Sequence, residues 1–165
     1  MDDVGALATL HALEDAGRAN TLGVIAGTTG GSVVPAVDVI NTHYGRGELP
    51  IGLLPRTFTP DRDDYAPKLA SPRLFISDQT NATAPSSTDL YRSLLASAAG
   101  PVKIVIVGGQ SAAHLLMDSG ANHNNDGIAL TGMQLIQQKV SELVIMGGHF
   151  GNPNYAEYNI KLDIP

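Results

Sequence analysis

The feature that most constrains the fold is a run of four consecutive β-branched residues, Ile104-Val105-Ile106-Val107. β-Branched side chains lose rotamer freedom in helices and pack well on a pleated sheet. A run that is continuously apolar, rather than alternating, is typical of a parallel strand with both sheet faces covered. We therefore expect a buried strand over residues 102–107, which leads into the turn Gly108-Gly109-Gln110-Ser111.

Three other short apolar segments read as strands, at residues 21–26, 49–54 and 143–146, and they alternate with segments of helical periodicity. Alternating strands and helices predict an α/β fold with a doubly wound, mainly parallel, Rossmann-like sheet. Three strands run into glycine-containing loops, at Gly27, Gly108 and Gly147. Ligands bind at the carboxyl ends of such strands, so these loops are the place to look for a site. None carries a dinucleotide or P-loop motif, and each glycine is by itself more often structural.

Local signals place the helix boundaries. Gly17 predicts the end of the first helix, and Ser32, Ser86 or Ser87, and Asp126 are predicted to cap later ones. Two helices are expected to pack through apolar faces, one formed by Val33, Val37, Ile40 and Tyr44 and the other by Ile128, Met133, Ile136 and Val140.

Composition limits the class of protein. A chain of 165 residues with 43% hydrophobic residues fits one domain with a sizeable core, and 16% charged residues argue against disorder. The net charge of −6, without a Lys/Arg cluster, disfavours a nucleic-acid partner. The absence of cysteine excludes disulfides, thiolate metal sites and cysteine nucleophiles.

The sequence predicts neither a membrane partner nor a compartment. No apolar run approaches the roughly 20 residues of a membrane span. No signal peptide precedes Asp2, which makes the chain cytoplasmic as it stands. A start upstream of Met1 would remove that argument, so the compartment is left open.

The chain opens with two adjacent carboxylates, Asp2 and Asp3, at the start of a helical pattern. Adjacent side chains on a helix point about 100° apart, so one can face a metal while the other faces a substrate hydroxyl. Oxygen ligands of this kind suit Ca²⁺ or Mg²⁺. The alternative is purely structural, because negative charge at a helix N-terminus is favourable by about 0.3–1 kcal/mol. Composition alone favours that alternative.

A second polar group follows the last predicted strand. Glu157 and Asn159 are two residues apart, so in an extended segment their side chains would share a face. Such a face suits hydrogen bonds to sugar hydroxyls, and an exposed loop is the alternative.

Together these motifs resemble the inosine/uridine-preferring nucleoside hydrolase family. The resemblance is carried by the Asp-Asp helix start, by a strand entering Met146-Gly147-Gly148, and by Ala156-Glu157-Tyr158-Asn159. The family's pattern Asp-x-Asp-x-x-x-Asp-Asp would be represented only by its final pair. The resemblance implies a single domain over residues 1–165 that lacks the first strand and the C-terminal half, and such a cut is expected to make the chain prone to aggregation.

The resemblance also implies roles for individual residues. Asp3 and the backbone carbonyl of Ser111 would bind Ca²⁺, and Asp2 would contact a ribose hydroxyl. The remaining contacts to the nucleoside substrate would come from Met146, Asn152, Glu157 and Asn159. Asn154 is an equally possible occupant of the position given to Asn152. The implied reaction is hydrolysis of the N-glycosidic bond of a ribonucleoside to ribose and free base, with Ca²⁺ orienting the ribose and activating a water.

The chain departs from the family pattern in places that matter for catalysis. The loop Gly27-Thr28-Thr29-Gly30 lacks an asparagine that the family usually has, and the general base would lie upstream of Asp2. No catalytic residue is therefore identifiable, and the chain alone is expected to be inactive or nearly so. Of the five histidines, His149 lies nearest the predicted pocket, and the others are expected at the surface: His11, His43, His114 and His123.

Two alternatives to the enzyme stay open. One is a non-catalytic module that binds nucleosides or carbohydrates, and the other is a truncated gene product. Homo-oligomer formation and base preference are not fixed by the sequence.

Overall fold

The computed structural model describes residues 2–56, 65–71, 76–152 and 154–162, and the side chains of Asp2 and Leu162 lie outside the description. Helices and strands alternate through most of this part of the chain. In order they are α1 Asp2–Asp15, β1 Val24–Ala26, α2 Val33–His43, β2 Ile51–Leu53, α3 Ala66–Leu69, α4 Ser87–Ser97, β3 Val102–Ile106, α5 Ser111–Asp118, a 3₁₀ turn His123–Asn125, α6 Gly132–Lys139, β4 Val140–Ile145 and α7 Tyr158–Leu162.

The strands pair in parallel, which confirms the predicted α/β class. β1 lies beside β2 with Val24 opposite Ile51, and β3 lies beside β4 with Ile104 opposite Leu143. Within the described residues these ladders form two separate two-stranded sheets. β1 and β3 therefore each have one edge without a ladder partner in that part of the chain.

The β1–β2 sheet is covered by helices. Its core consists of Ala26 and Ile51 from the strands and Val34 from α2. Helix α4 packs against β2 so closely that a Cβ on Gly52 would lie 3.0 Å from the Leu90 side chain. Glycine at position 52 thus lets α4 and the Ile25 side chain on β1 approach closely, and its backbone conformation does not call for glycine.

A second core lies between α4, α5 and α6, where Leu95, Leu116 and Leu135 pack together. Beside it the side chain of Arg92 is fully buried and donates to Ser119 Oγ and to backbone carbonyls of residues 128 and 130. Arg92 also pairs with Asp126, and this hydrogen bond holds the pKa of Asp126 below its ordinary value. The irregular segment 119–130 is therefore fastened to α4.

Strand β3 is covered on one face only, and its neighbour β4 is exposed on both faces. Ile104 and Ile106 are buried, but Val105 is 62% exposed and Leu143 on β4 is 52% exposed. The expectation that both faces of the 102–107 strand are covered is therefore wrong. β-Branched residues fit a pleated backbone whether or not the second face is packed, so the run predicts the strand but not its burial.

Two helix starts differ from expectation. Ser32 precedes α2 without a side-chain cap, and the N–H of Val34 instead donates to Asn81 Oδ1 (3.0 Å), from a loop distant in sequence. Helix α6 begins at Gly132 with a capping box between Thr131 and Gln134 rather than at Asp126. Asp126 is engaged by Arg92. The cap predicted at Ser86 is confirmed, since its side chain accepts from the N–H of Asp89.

Helix α2 buries a different face from the one expected. Its fully buried residues include Val34, Asp38 and Asn41, while the predicted face is only partly buried. The Asp38 carboxylate accepts hydrogen bonds from Ser77 Oγ (2.8 Å) and from the N–H of Asp78 (2.9 Å). A buried carboxylate that anchors a loop has no signature in hydrophobic periodicity.

Helix α1 is present as predicted and the chain leaves it through Gly17, at φ +68°. α1 contacts α2 through His11, whose Nε2 lies 3.0 Å from Asn41 Oδ1. His11 is fully buried and its ring stacks on Tyr44, so the expected surface position of this histidine is wrong. None of the helices in the described part of the chain combines the length and apolar character that a membrane crossing needs.

Candidate functional site

The polar groups predicted to bind a sugar meet where β3 and β4 end. The side-chain amide of Asn159 donates to the carbonyl of Met146 (3.3 Å), just after β4, and lies 3.5 Å from the carbonyl of Val107, just after β3. Asn159 therefore links the carboxyl ends of two neighbouring parallel strands, the position at which open α/β sheets bind ligands.

Glu157 lies directly before α7 and caps it. Its Oε2 accepts from the N–H of Asn159 (3.1 Å) and of Ile160 (3.2 Å). The hydrogen bond from the Asn159 N–H is the largest of the effects that lower the pKa of Glu157. Partial desolvation opposes it, and the N–H groups of Ile160, Gly148 and Tyr158 lower the pKa further. The carboxylate is thus ionised at neutral pH.

The geometry of this pair differs from the prediction. Glu157 and Asn159 were expected to share a face of an extended segment, but Asn159 lies in the first turn of α7. They are brought together because the helix start turns the amide of Asn159 back towards the strand ends while Glu157 caps the same turn. The two residues do lie at the predicted edge of the sheet.

The loop between β4 and α7 is closed by contacts within itself. Gly148 has φ +91°, a conformation that favours glycine, and the Phe150 ring packs 3.3 Å from where a Cβ at Gly148 would lie. Asn152, a predicted ribose contact, accepts from the N–H of Asn154 through its side-chain oxygen (3.0 Å). That oxygen therefore shapes the loop. A role of Asn152 in ribose binding stays a prediction.

The predicted metal ligands lie at the starts of two helices. Asp3 is exposed on the first turn of α1, the side chain of Asp2 lies outside the described residues, and Ser111 is the first residue of α5. No group of three or more His, Asp or Glu side chains suitable for a metal occurs in the part of the chain that the structure describes. Ca²⁺ prefers about 6–8 oxygen ligands, more than Asp3 and one backbone carbonyl supply by themselves. Calcium at Asp3 and Ser111 stays a prediction.

Two structural features were not predicted from the sequence. The rings of His149 and Tyr155 lie 4.8 Å apart beside the strand ends, although only the histidine was expected near the pocket. The buried Arg92 was also missed. The ring pair could have been predicted from the concentration of aromatic residues between Gly148 and Asn159. A search for polar motifs does not detect it.

Comparison with known proteins supports the fold and corrects the family. No protein-family model matches the chain, and no curated protein is similar to it in sequence. Among solved structures, it resembles the type III effector protein XopQ complexed with adenosine diphosphate ribose, with a TM-score of 0.68 at 15% identity. It also resembles the effector protein XOO4466, with a TM-score of 0.66 at 15% identity.

Both effectors are longer proteins. The likeness covers 98% of this chain in each case, but 47% of the XopQ chain and 45% of the XOO4466 chain. The chain thus spans less than half of each structure and shares its nucleoside hydrolase-like fold. The assignment to the inosine/uridine-preferring nucleoside hydrolases is wrong. The structural neighbours are effector proteins, and neither a family model nor a curated relative supports that family.

Proposed function

We propose that this chain binds the ribose of a nucleoside-like small molecule at the carboxyl ends of β3 and β4. The observation that carries the proposal is the meeting of Glu157 and Asn159 at that edge. A carboxylate and the oxygen of a side-chain amide both accept hydrogen bonds, which matches the neighbouring hydroxyls of a ribose. The ADP-ribose bound to the XopQ neighbour contains ribose, so it supports the same class of ligand.

The charge at this edge favours an uncharged ligand. Glu157 is ionised at neutral pH, and the chain as a whole carries a net charge of −6. A diphosphate brought to this edge would meet like charge, which opposes binding. We therefore expect adenosine to bind more tightly than ADP-ribose.

Hydrolysis of the N-glycosidic bond is the reaction we propose for this site. Water would add to C1′ of the ribose while the bond to the base nitrogen breaks, and the departing base would keep the electron pair and take up a proton. Positive charge develops on the sugar ring in such a reaction, and the ionised Glu157 would stabilise it. This chain's described residues supply binding groups and that charge. A general base is not identified among them.

The test compares two glutamates in the full chain. Glu157→Gln keeps the size of the side chain but removes the charge, and Glu142→Gln does the same on β4, where Glu142 pairs with Lys103. We expect Glu157→Gln to weaken adenosine binding by about tenfold or more, because hydrogen bonds to a charged group are the stronger ones, while Glu142→Gln leaves it unchanged. Ligand-observed NMR titration measures both, and release of adenine is followed by chromatography.

A second ligand distinguishes a direct contact between Glu157 and the ribose from a role of Glu157 in shaping the loop. 2′,3′-Dideoxyadenosine lacks the neighbouring 2′- and 3′-hydroxyls of the ribose, so its affinity should be the same for wild type and for Glu157→Gln. Equal weakening of both ligands would mean that Glu157 only shapes the loop, and the proposal would fail. Adenosine binding without adenine release would support the non-catalytic module over the hydrolase.

A further inference from the structure

The loop that joins β4 to α7 exposes several aromatic rings beside the proposed ribose site. Phe150 is 98% exposed and Tyr155 is 56% exposed, and His149 and Tyr158 are exposed as well. Exposed aromatic side chains that lie together are unfavourable in water and commonly mark a binding surface.

The rings are held in place by the loop. Its two ends meet at the Glu157 carboxylate, whose Oε2 accepts from the N–H of Asn159 and lies 3.5 Å from where a Cβ on Gly147 would be. The N–H of Tyr155 donates to the carbonyl of Asn152 (3.1 Å). The His149 and Tyr155 rings then meet at 4.8 Å between centroids, with their planes inclined by 56°. An ordered pair of rings loses less entropy on binding a ligand than two free side chains would.

We propose that the His149–Tyr155 ring pair is a stacking platform for a planar heteroaromatic ring, the base of a nucleoside whose ribose contacts Glu157 and Asn159. This inference rests on the proposed function. Tyr155 lies two residues before Glu157, and the Phe150 ring packs on Gly148, next to Gly147, against which the same carboxylate lies. One short loop therefore carries both a sugar-binding carboxylate and exposed π-faces, and stacking tolerates any base because every base has a π-face.

The test uses adenosine, ribose and adenine as separate probes of the full chain. Tyr155→Ala removes the ring and Tyr155→Phe, the matched control, retains it. Base stacking on an aromatic side chain is worth about 5- to 150-fold in affinity, so Tyr155→Ala should weaken adenosine by that factor while Tyr155→Phe stays near wild type. Ribose, which cannot stack, should bind all three proteins equally. Tyr155 is exposed, so circular dichroism should show all three equally folded.

Each result has a distinct meaning. If adenosine binds no more tightly than ribose to the wild type, the platform is overturned while ribose binding stands. If Tyr155→Phe loses as much affinity as Tyr155→Ala, the hydroxyl and not the ring is responsible, and the platform is again overturned. If ribose fails to bind but adenine binds and is lost in Tyr155→Ala, the platform stands and the ribose site fails. If no probe binds, both fail.

Discussion

The two parallel sheets are built alike but differ in what covers them. In the β1–β2 sheet Ile51 and Gly52 are buried beneath α2 and α4, whereas in the β3–β4 sheet Val105 and Leu143 face solvent. Burial of apolar area is the main source of folding free energy. Stability should therefore be concentrated in the half covered by helices, and the candidate site lies on the half that is left open. Elements that bind ligands are commonly drawn from the less stable part of a fold.

The largest effect should come from truncating one leucine in a core covered by helices and another on the exposed strand β4. Leu135 is fully buried in the core between α4, α5 and α6, so Leu135→Ala should lower the free energy of unfolding by about 2–5 kcal/mol. Leu143→Ala, on the exposed strand, should cost less than about 1 kcal/mol. Urea unfolding measures both. Similar losses would show that β4 is covered in solution, and dilution would tell whether a second copy covers it.

A smaller effect should appear at alkaline pH. Burial raises the pKa of Tyr91, beside the same core, to about 12. A tyrosine whose pKa is higher in the folded than in the unfolded protein stabilises the fold at pH values below its unfolded pKa of about 10. That stabilisation is lost as the pH rises through the pKa of the folded protein. Between pH 10 and 12, stability should fall by up to roughly 2–3 kcal/mol more in wild type than in Tyr91→Phe. Identical pH profiles of the two proteins would contradict the burial of Tyr91.

The smallest effect should be local and should appear at acidic pH. The pKa of Glu157 is lowered in the folded protein, mainly by the hydrogen bond from the Asn159 N–H. The ionised carboxylate therefore stabilises the fold above the ordinary glutamate pKa. This stabilisation is lost as the pH falls through the lowered pKa of Glu157 in the folded protein. We expect the amide NMR signals of Gly148 and Asn159 to shift together as the pH falls through the pKa of Glu157, without global unfolding. In Glu157→Gln the shift should disappear. Shifts that persist in the variant would assign the titration to another group.

Local signals in the sequence predicted local structure well. Gly17 after α1 and Ser86 before α4 act on neighbouring residues, so their roles follow from the sequence alone. His11 and Asp126 were misplaced because their environments depend on Asn41 and Arg92, which are 30 and 34 residues away. The fate of a polar side chain is decided by such distant partners, which periodicity does not reveal.

The candidate site was predicted in position but not in geometry or family. The Met146-Gly147-Gly148 motif marks a strand end that needs glycine, and Gly148 does adopt a positive φ. That need comes from the backbone of the fold, so the motif can recur among proteins that share the fold without belonging to one family. The ribose contacts and the metal ligands stay predictions, because the backbone of a fold does not specify which ligand its strand ends bind.

Arg92 has a consequence for how amide hydrogens exchange with solvent. The segment between α5 and α6 has little regular structure, yet the N–H groups of Asn122, Ile128 and Gly132 all donate within it or to its ends. Because Arg92 holds the carbonyls of residues 128 and 130 from inside the protein, we expect these bonds to open mainly when α4 also moves. Deuterium uptake in this irregular stretch should therefore be as slow as in the helices beside it, and slower than along the regular strand β4.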